Sequence, residues 1–294
     1  VFDLRYHVAS LAAVFVALVI GIFVGVGLSG RGFVNDAERK NFEARIDELK
    51  AERDSANARA TSAERRGDAL DDFANATYTS LVRRRLAGTA VGIVFVGSVD
   101  QGLAGTLRRT ITDAGGRVVR LRALRVPLDP KAVDKVLASD PKTRDLVGAE
   151  RRTRLGGEIA RELVLGGQTT VLDRLSSVLV EEQLGLSRTP LGALVIARSA
   201  RPQQGETQDF LSGLYSGIAS ARVPTVGVER SGVRRSAIAP FRASGLATVD
   251  AVDTTVGQVA LVLVLDGARP GSYGLGRDAV DGVLPDAPVT APGE

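Results

Sequence analysis

The chain has 294 residues, 44% hydrophobic and 24% charged, with 38 Lys and Arg against 34 Asp and Glu for a formal net charge of +4. It contains no Cys, Met or Trp, and His7 is its one histidine. Disulfide frameworks, cysteine nucleophiles and zinc sites of His and Cys are therefore excluded. Acids and bases are interspersed rather than clustered on one segment, so no nucleic-acid partner is expected.

Residues 1–7 read as a short stub. Val8 to Leu28 follows, VASLAAVFVALVIGIFVGVGL, with no charged residue. At about 1.5 Å per residue, roughly twenty such residues span the roughly 30 Å hydrocarbon core of a bilayer. A cleaved signal peptide is one alternative, with small residues at Gly25-Val26-Gly27, but the apolar run is longer than a usual signal core. A buried core helix is another, though such helices seldom lack polar residues for so long. An uncleaved anchor is the favoured reading. Arg5 and His7 precede it and Arg31, Arg39 and Lys40 follow it, so the positive-inside count does not set orientation. A short tail before a large domain places the N-terminus inside and the domain outside the cytoplasm, as a single-pass protein of the cell membrane.

Ala9, Ala13, Ala17, Gly21 and Gly25 recur at every fourth position. Such a stripe permits close backbone packing between two helices; the plainer reading is that Ala and Gly are common in this chain. Gly25 to Gly30 also spells a dinucleotide fingerprint, but no strand precedes it and no βαβ unit surrounds it, so the match is rejected.

Residues 33–86 predict a charged helical rod without Pro. Phe42, Ile46, Leu49, Arg53, Ala56, Ala60, Ala63, Gly67, Leu70 and Ala74 follow an alternating four-three spacing, a coiled-coil seam whose apolar anchors are Phe42, Ile46, Leu49 and Leu70. Asp36 with Lys40 and Arg39 with Glu43 suit a solvated face. About fifty helical residues reach about 75 Å. A homodimer through anchor and rod is expected; the alternative is a lone solvated helix fraying near Gly67. Arg83-Arg84-Arg85 suits the negative end of the helix dipole.

Residues 89–269 predict an α/β domain. Ala90 to Val96 is an almost wholly apolar run closed by Gly97, the pattern of a strand buried in a parallel sheet. Gly102 to Ala114 has helical spacing and ends at Gly115-Gly116. Arg117 to Leu121, Ala193 to Ala197 and Thr225 to Val228 read as further strands. Lys131 to Ala138, Arg154 to Leu165, Thr207 to Ala219 and Thr255 to Leu265 read as helices. The alternation implies an α/β sandwich with a mostly parallel sheet. Residues 270–294, rich in Pro, Gly and Asp, read as a flexible tail in which Gly271 to Gly276 forms a turn or a docking motif.

The candidate ligand turn is the first strand-to-helix connection, Gly97, Ser98, Asp100 and Gly102. Gly97 and Gly102 have phosphate-loop spacing, but Leu103-Ala104 stands where Lys-Ser/Thr is required, so a simple tight turn is the better reading. A Ser-His-Asp triad has no histidine in the domain. Asp250 and Asp253 lack a calcium-loop pattern, Asp71-Asp72 reads as a solvated face, and Asn75-Ala76-Thr77 is a sequon by spelling only. No catalytic, cofactor or metal residue is assigned, and no enzyme is expected.

The order of parts then becomes informative. Leu4-Arg5-Tyr6-His7-Val8-Ala9-Ser10-Leu11-Ala12-Ala13-Val14-Phe15 runs into a glycine-ended anchor, a charged coil, the strand-Gly opening at Val91 to Gly97 and Tyr273-Gly274. The chain resembles, over nearly its whole length, the actinobacterial family named for the MctB copper-transport protein, which includes SteB-like division proteins. The resemblance implies either copper homeostasis, as an outer-membrane channel or exporter, or a non-enzymatic envelope component that works with a SteA-like membrane partner to control peptidoglycan hydrolases. Copper enters through the resemblance alone. Cu(I) prefers Cys and Met and imidazole suits Cu(II), and this chain offers only His7 beside the anchor. Short, uniformly apolar strands and scarce aromatics also fit an outer-membrane barrel poorly, and one helix encloses no pore. A scaffold or regulator is the reading favoured over transport.

Overall fold

The computed structural model describes residues 4–29, 36–166, 169–185 and 189–286. The chain divides into two compact units, residues 1–68 and 69–294. The first holds α1 (Leu4–Ser29) and most of α2 (Asp36–Val82). Among the described residues, Tyr6–Gly27 is the one helix long and apolar enough to cross a membrane. A side chain added at Gly21 or Gly25 meets nothing within 4 Å. On α2, Phe42, Ile46, Leu49 and Leu70 are 49–68% exposed.

The second unit is a seven-stranded sheet of order β3-β2-β1-β4-β5-β6-β7. The strands are β1 (Ala90–Val96), β2 (Arg117–Leu124), β3 (Val180–Leu184), β4 (Ala193–Arg198), β5 (Thr225–Val228), β6 (Ala247–Val249) and β7 (Ser272–Tyr273). All neighbours run parallel except β3, which pairs antiparallel with β2 at one edge. Helices α3 (Gln101–Asp113), α4 (Pro130–Ala138), α5 (Arg152–Leu165), α6 (Thr170–Leu179), α7 (Gly205–Ala219), α8 (Ile238–Ala243) and α9 (Thr255–Leu265) complete the α/β architecture.

Strand alternation sorts the core into two layers. Val91, Ile93 and Phe95 of β1 pack with Leu107 and Ile111 of α3 and the apolar α9. Val94 and Val96 point to the other face, against Leu155 and Ile159 of α5 and Phe210 and Leu214 of α7. Helices α5 and α7 cross at glycine: a Cβ on Gly213 would lie 1.9 Å from the Thr153 carbonyl oxygen, and one on Gly156 would lie 2.1 Å from that of Phe210. An apolar groove of about 690 Å³, floored by Ala160, Val164, Ala221 and Val223, runs beside that crossing.

Several boundaries differ from the sequence reading. The rod helix ends at Val82, and residues 33–35 lie outside the described set. Tyr78, Val82 and Leu86 belong to the first core layer, so the domain begins before residue 89. Arg84 adopts φ +62°, and the next residue, Arg85, donates to the Leu81 carbonyl and pairs with Asp266 at 3.0 Å. The second strand runs to Leu124 rather than Leu121.

The largest correction concerns the segment after residue 269, expected to be flexible. Residues 271–282 are instead held at the sheet's edge by backbone and carboxylate hydrogen bonds. Ser272 and Tyr273 add a strand to β6, and Thr248 and Ser272 share a buried hydroxyl hydrogen bond. The Asp250 carboxylate accepts from the backbone N–H groups of Leu275 and Gly276, and Asp281 accepts from Ser272 N–H. Pro, Gly and Asp supply the turns that let this segment reach those acceptors. Residues 287–294 lie outside the described set.

The segment is predicted to depend on Asp250. Asp250→Ala orphans two backbone donors and is expected to lower stability by about 2 kcal/mol. Chemical denaturation checks this, and an unchanged midpoint would show that the segment is held by its strand alone.

Candidate functional site

Sheets of this kind place ligands at the carboxyl ends of their strands, where the strand order reverses. Here the reversal falls between β1, which leads to β2 on one side, and β4 on the other. Val96 ends β1, and Gly97 turns the chain at φ +97°. A Cβ there would lie 2.7 Å from Ser199 Oγ and 2.8 Å from Ala200 N, so β4 approaches too closely for a side chain. Ser199 and Ala200 N–H both donate to the Val96 carbonyl, and Ser199 Oγ donates to that of Ser98.

The four predicted turn residues, Gly97, Ser98, Asp100 and Gly102, do share this one turn. Asp100 caps α3, its Oδ1 accepting from Leu103 N–H at 3.0 Å. Arg230, at the end of β5, brings Nη1 within 3.7 Å of Asp100 Oδ2. A helix N-terminus is an anion position. This one already holds the chain's own carboxylate, which takes the N–H group a phosphate would use.

The other acids along this edge are committed in the same way. Glu229 accepts from Ser236 Oγ at 2.8 Å and Ala237 N–H at 2.7 Å. Asp253 accepts from Ser231 N–H and Oγ, both at 2.6 Å. Burial works to raise its carboxyl, but those hydrogen bonds outweigh it and hold Asp253 below the usual carboxylate range. Asp250 and Asp253, weighed in the sequence as an oxygen-ligand pair, thus serve different loops. Asn75 of the sequon accepts from Thr255 Oγ1.

At the amino ends of α4, α5 and α7, Arg152 is fully buried. Its Nη1 and Nη2 donate to the two oxygens of Asp134 at 2.9 Å each, and its Nε donates to Glu206 at 2.7 Å. The Arg152 hydrogen bonds hold the Asp134 carboxyl below its ordinary value against the opposing effect of partial burial. These three residues had no sequence motif; they are 18 and 54 positions apart.

Among the described residues, no group of three or more His, Cys, Asp or Glu is placed to hold a metal ion. His7 is exposed on α1. A further cavity of about 300 Å³ opens where β4 ends, lined by Arg198 of β4, by Gln208, Ser212 and Tyr215 of α7, and by residues of α8. Sequence reasoning passed over it because its walls come from three separated segments; the one signal was a charged Arg198 directly after a buried strand.

The comparisons with known proteins follow this geometry. A family model described as "Copper transport outer membrane protein, MctB" matches residues 1–285. Proteins named "Copper transporter MctB" from Mycobacterium bovis and from two strains of Mycobacterium tuberculosis are each 22% identical over 314 aligned positions, covering 95% of this chain and 98% of theirs.

Asp134 supplies an acid-range prediction. Its carboxyl is depressed in the fold, so its contribution is complete above the ordinary carboxylate pKa of about 4 and is lost as pH falls through the lower folded value. Asp134→Asn should flatten the decline in stability below about pH 4, read by thermal melts across pH. A decline as steep as the parent's would show that other carboxylates set it.

Proposed function

Because this chain belongs to the MctB family, a membership resting on the match over residues 1–285, we propose that it acts as a membrane-anchored envelope scaffold or regulator with no catalytic step of its own. The family resemblance supplies the partner class, a SteA-like membrane protein acting on peptidoglycan hydrolases. In this reading α1 is the anchor, residues 1–7 face the cytoplasm, and the α/β domain lies outside it.

One observation carries the reading: α2 presents Phe42, Ile46, Leu49 and Leu70 exposed along its length. Apolar side chains at heptad spacing on a charged helix favour a second helix, and a homodimer covers them with the same residues. The small-residue stripe Ala9, Ala13, Ala17, Gly21 and Gly25 extends the same argument into the anchor. The carboxyl-edge acids support the non-enzymatic part, since each is used to hold a loop or cap a helix.

Copper transport is the second reading, favoured by the printed name of the family and of the mycobacterial relatives. Copper is cargo in that reading. The donor set suits it poorly: without Cys or Met, and with His7 as the single imidazole, a site would be built of oxygen or backbone donors.

Three experiments separate these readings. A crosslinker placed by Leu49→Cys should trap a dimer of the full chain, and Gly21→Ile with Gly25→Ile should weaken self-association in a membrane reporter assay. A full chain that gives no cross-linked dimer at Leu49→Cys would remove the rod argument, and unchanged association of the glycine variants would remove the stripe argument. Copper titration of the purified chain, with Cu(I) chelator competition and direct Cu(II) addition, should show no stoichiometric binding. Tight binding would move transport ahead.

A further inference from the structure

The groove of about 690 Å³ beside the α5–α7 crossing is made by residues of the α/β domain alone. A helix on the outside of a globular domain turns its polar face to water. Here the floor is apolar, with Ala160, Val164 and Leu191 buried and Ala221 and Val223 half-buried. Leu165, at the rim, stands 60% exposed. An apolar patch rimmed by charge marks an interaction surface.

Two further observations say what covers it. The first is Gly157, which lines the groove from the interior of α5, where glycine is less stable than alanine. Neighbouring glycines have a steric reason: a Cβ on Gly156 would lie 2.1 Å from the Phe210 carbonyl oxygen, and one on Gly217 would lie 2.7 Å from that of Ala160. A Cβ on Gly157 would meet only the Gly213 carbonyl oxygen, at 4.0 Å, so no contact among the described residues demands glycine there. A partner backbone lying against α5 would demand it. The second is charge. Arg154, Arg161 and Arg222 line the groove against the single acid Glu158. Arg154 pairs with Asp145 and Arg161 with Glu158, whereas Arg222 is exposed and pairs with no carboxylate among the described residues. The rim is net positive and complements an acidic partner.

We propose that this groove receives an amphipathic helix of a partner protein. Apolar side chains at i, i+4 and i+7 fill it, and acidic side chains on one flank meet Arg222. Small-molecule sites enclose most of their ligand, whereas the exposed Leu165 leaves this groove open along its side. A close backbone approach at Gly157 suits a third helix packed onto α5 and α7. The proposal does not depend on the rod seam, so a rod that proves monomeric would leave it standing.

The test is selection from a displayed library of alanine-rich helical peptides, randomised at i, i+4, i+7 and the flanking positions. The bait is the full chain in phosphatidylcholine nanodiscs, with counter-selection against Gly157→Leu in the same nanodiscs, which also removes peptides that bind lipid. Enriched peptides are expected to carry large apolar residues at the three core positions and Asp or Glu on one flank. Gly157→Leu puts a side chain into the groove and should weaken an enriched peptide about tenfold. Gly157→Ala keeps fold and fit apart: its melting temperature should rise, because alanine is the better helix former, while its affinity falls. Arg222→Glu changes an exposed residue and should weaken binding about fivefold, with Arg222→Lys restoring it. No peptide preferring the parent over Gly157→Leu, enrichment of basic flanks, or parental affinity in Arg222→Glu would overturn the proposal.

Discussion

A parallel sheet cannot leave a face in water, because its strands are apolar on both sides. The rest of this domain follows from that constraint. Val91, Ile93 and Phe95 need cover on one face, and Val94 and Val96 need it on the other. The second face is covered by α4 to α8. The first has only α3 and α9 between strands, and the chain completes it with Tyr78, Val82 and Leu86. Thus the last turns of a helix that is otherwise solvated become core. Burying a Val or Leu fully contributes about 1.5–3 kcal/mol, which accounts for the abrupt stop of the exposed pattern near Val82.

The same sheet explains how the acids at its carboxyl edge are used. Loops leaving parallel strands expose backbone N–H groups that no neighbouring strand satisfies. Asp100, Glu229, Asp250 and Asp253 accept from those groups. A carboxylate with its lone pairs so engaged is a poor base and a poor metal ligand without rearrangement. In this protein the edge that many related architectures give to chemistry is largely given to holding the loops.

Arg152 illustrates a different use of charge. Its burial is tolerable because Asp134 and Glu206 return two full partners, and each acid keeps about a third of its surface in water. The cluster ties α4 to the amino ends of α5 and α7, the two helices that meet over Gly156 and Gly213.

The long uniform patterns were legible in the sequence. Apolar runs at Ala90 to Val96 and Ala193 to Ala197 and the helix from Thr255 to Leu265 were each read within a few residues, because burial on all sides imposes a local composition, and the N-terminal apolar helix was read from its length and lack of charge. The strand Val180–Leu184 was missed: as an edge strand it carries Glu181, Glu182 and Gln183 and shows no burial signal. The helix Thr170–Leu179, with its apolar stripe, was passed over. The segment after residue 269 was read as flexible because Pro and Gly composition reports a lack of helix or strand propensity, whereas its order comes from a distant carboxylate, Asp250. By itself, then, the sequence determined the class of fold, the anchor and the poverty of soft metal donors, since these depend on composition and short periodicity. Only the tertiary structure decided which strands neighbour one another, that α2 ends inside the core, and that α5 and α7 meet over Gly156 and Gly213, because those pairings join residues that local sequence never brings together.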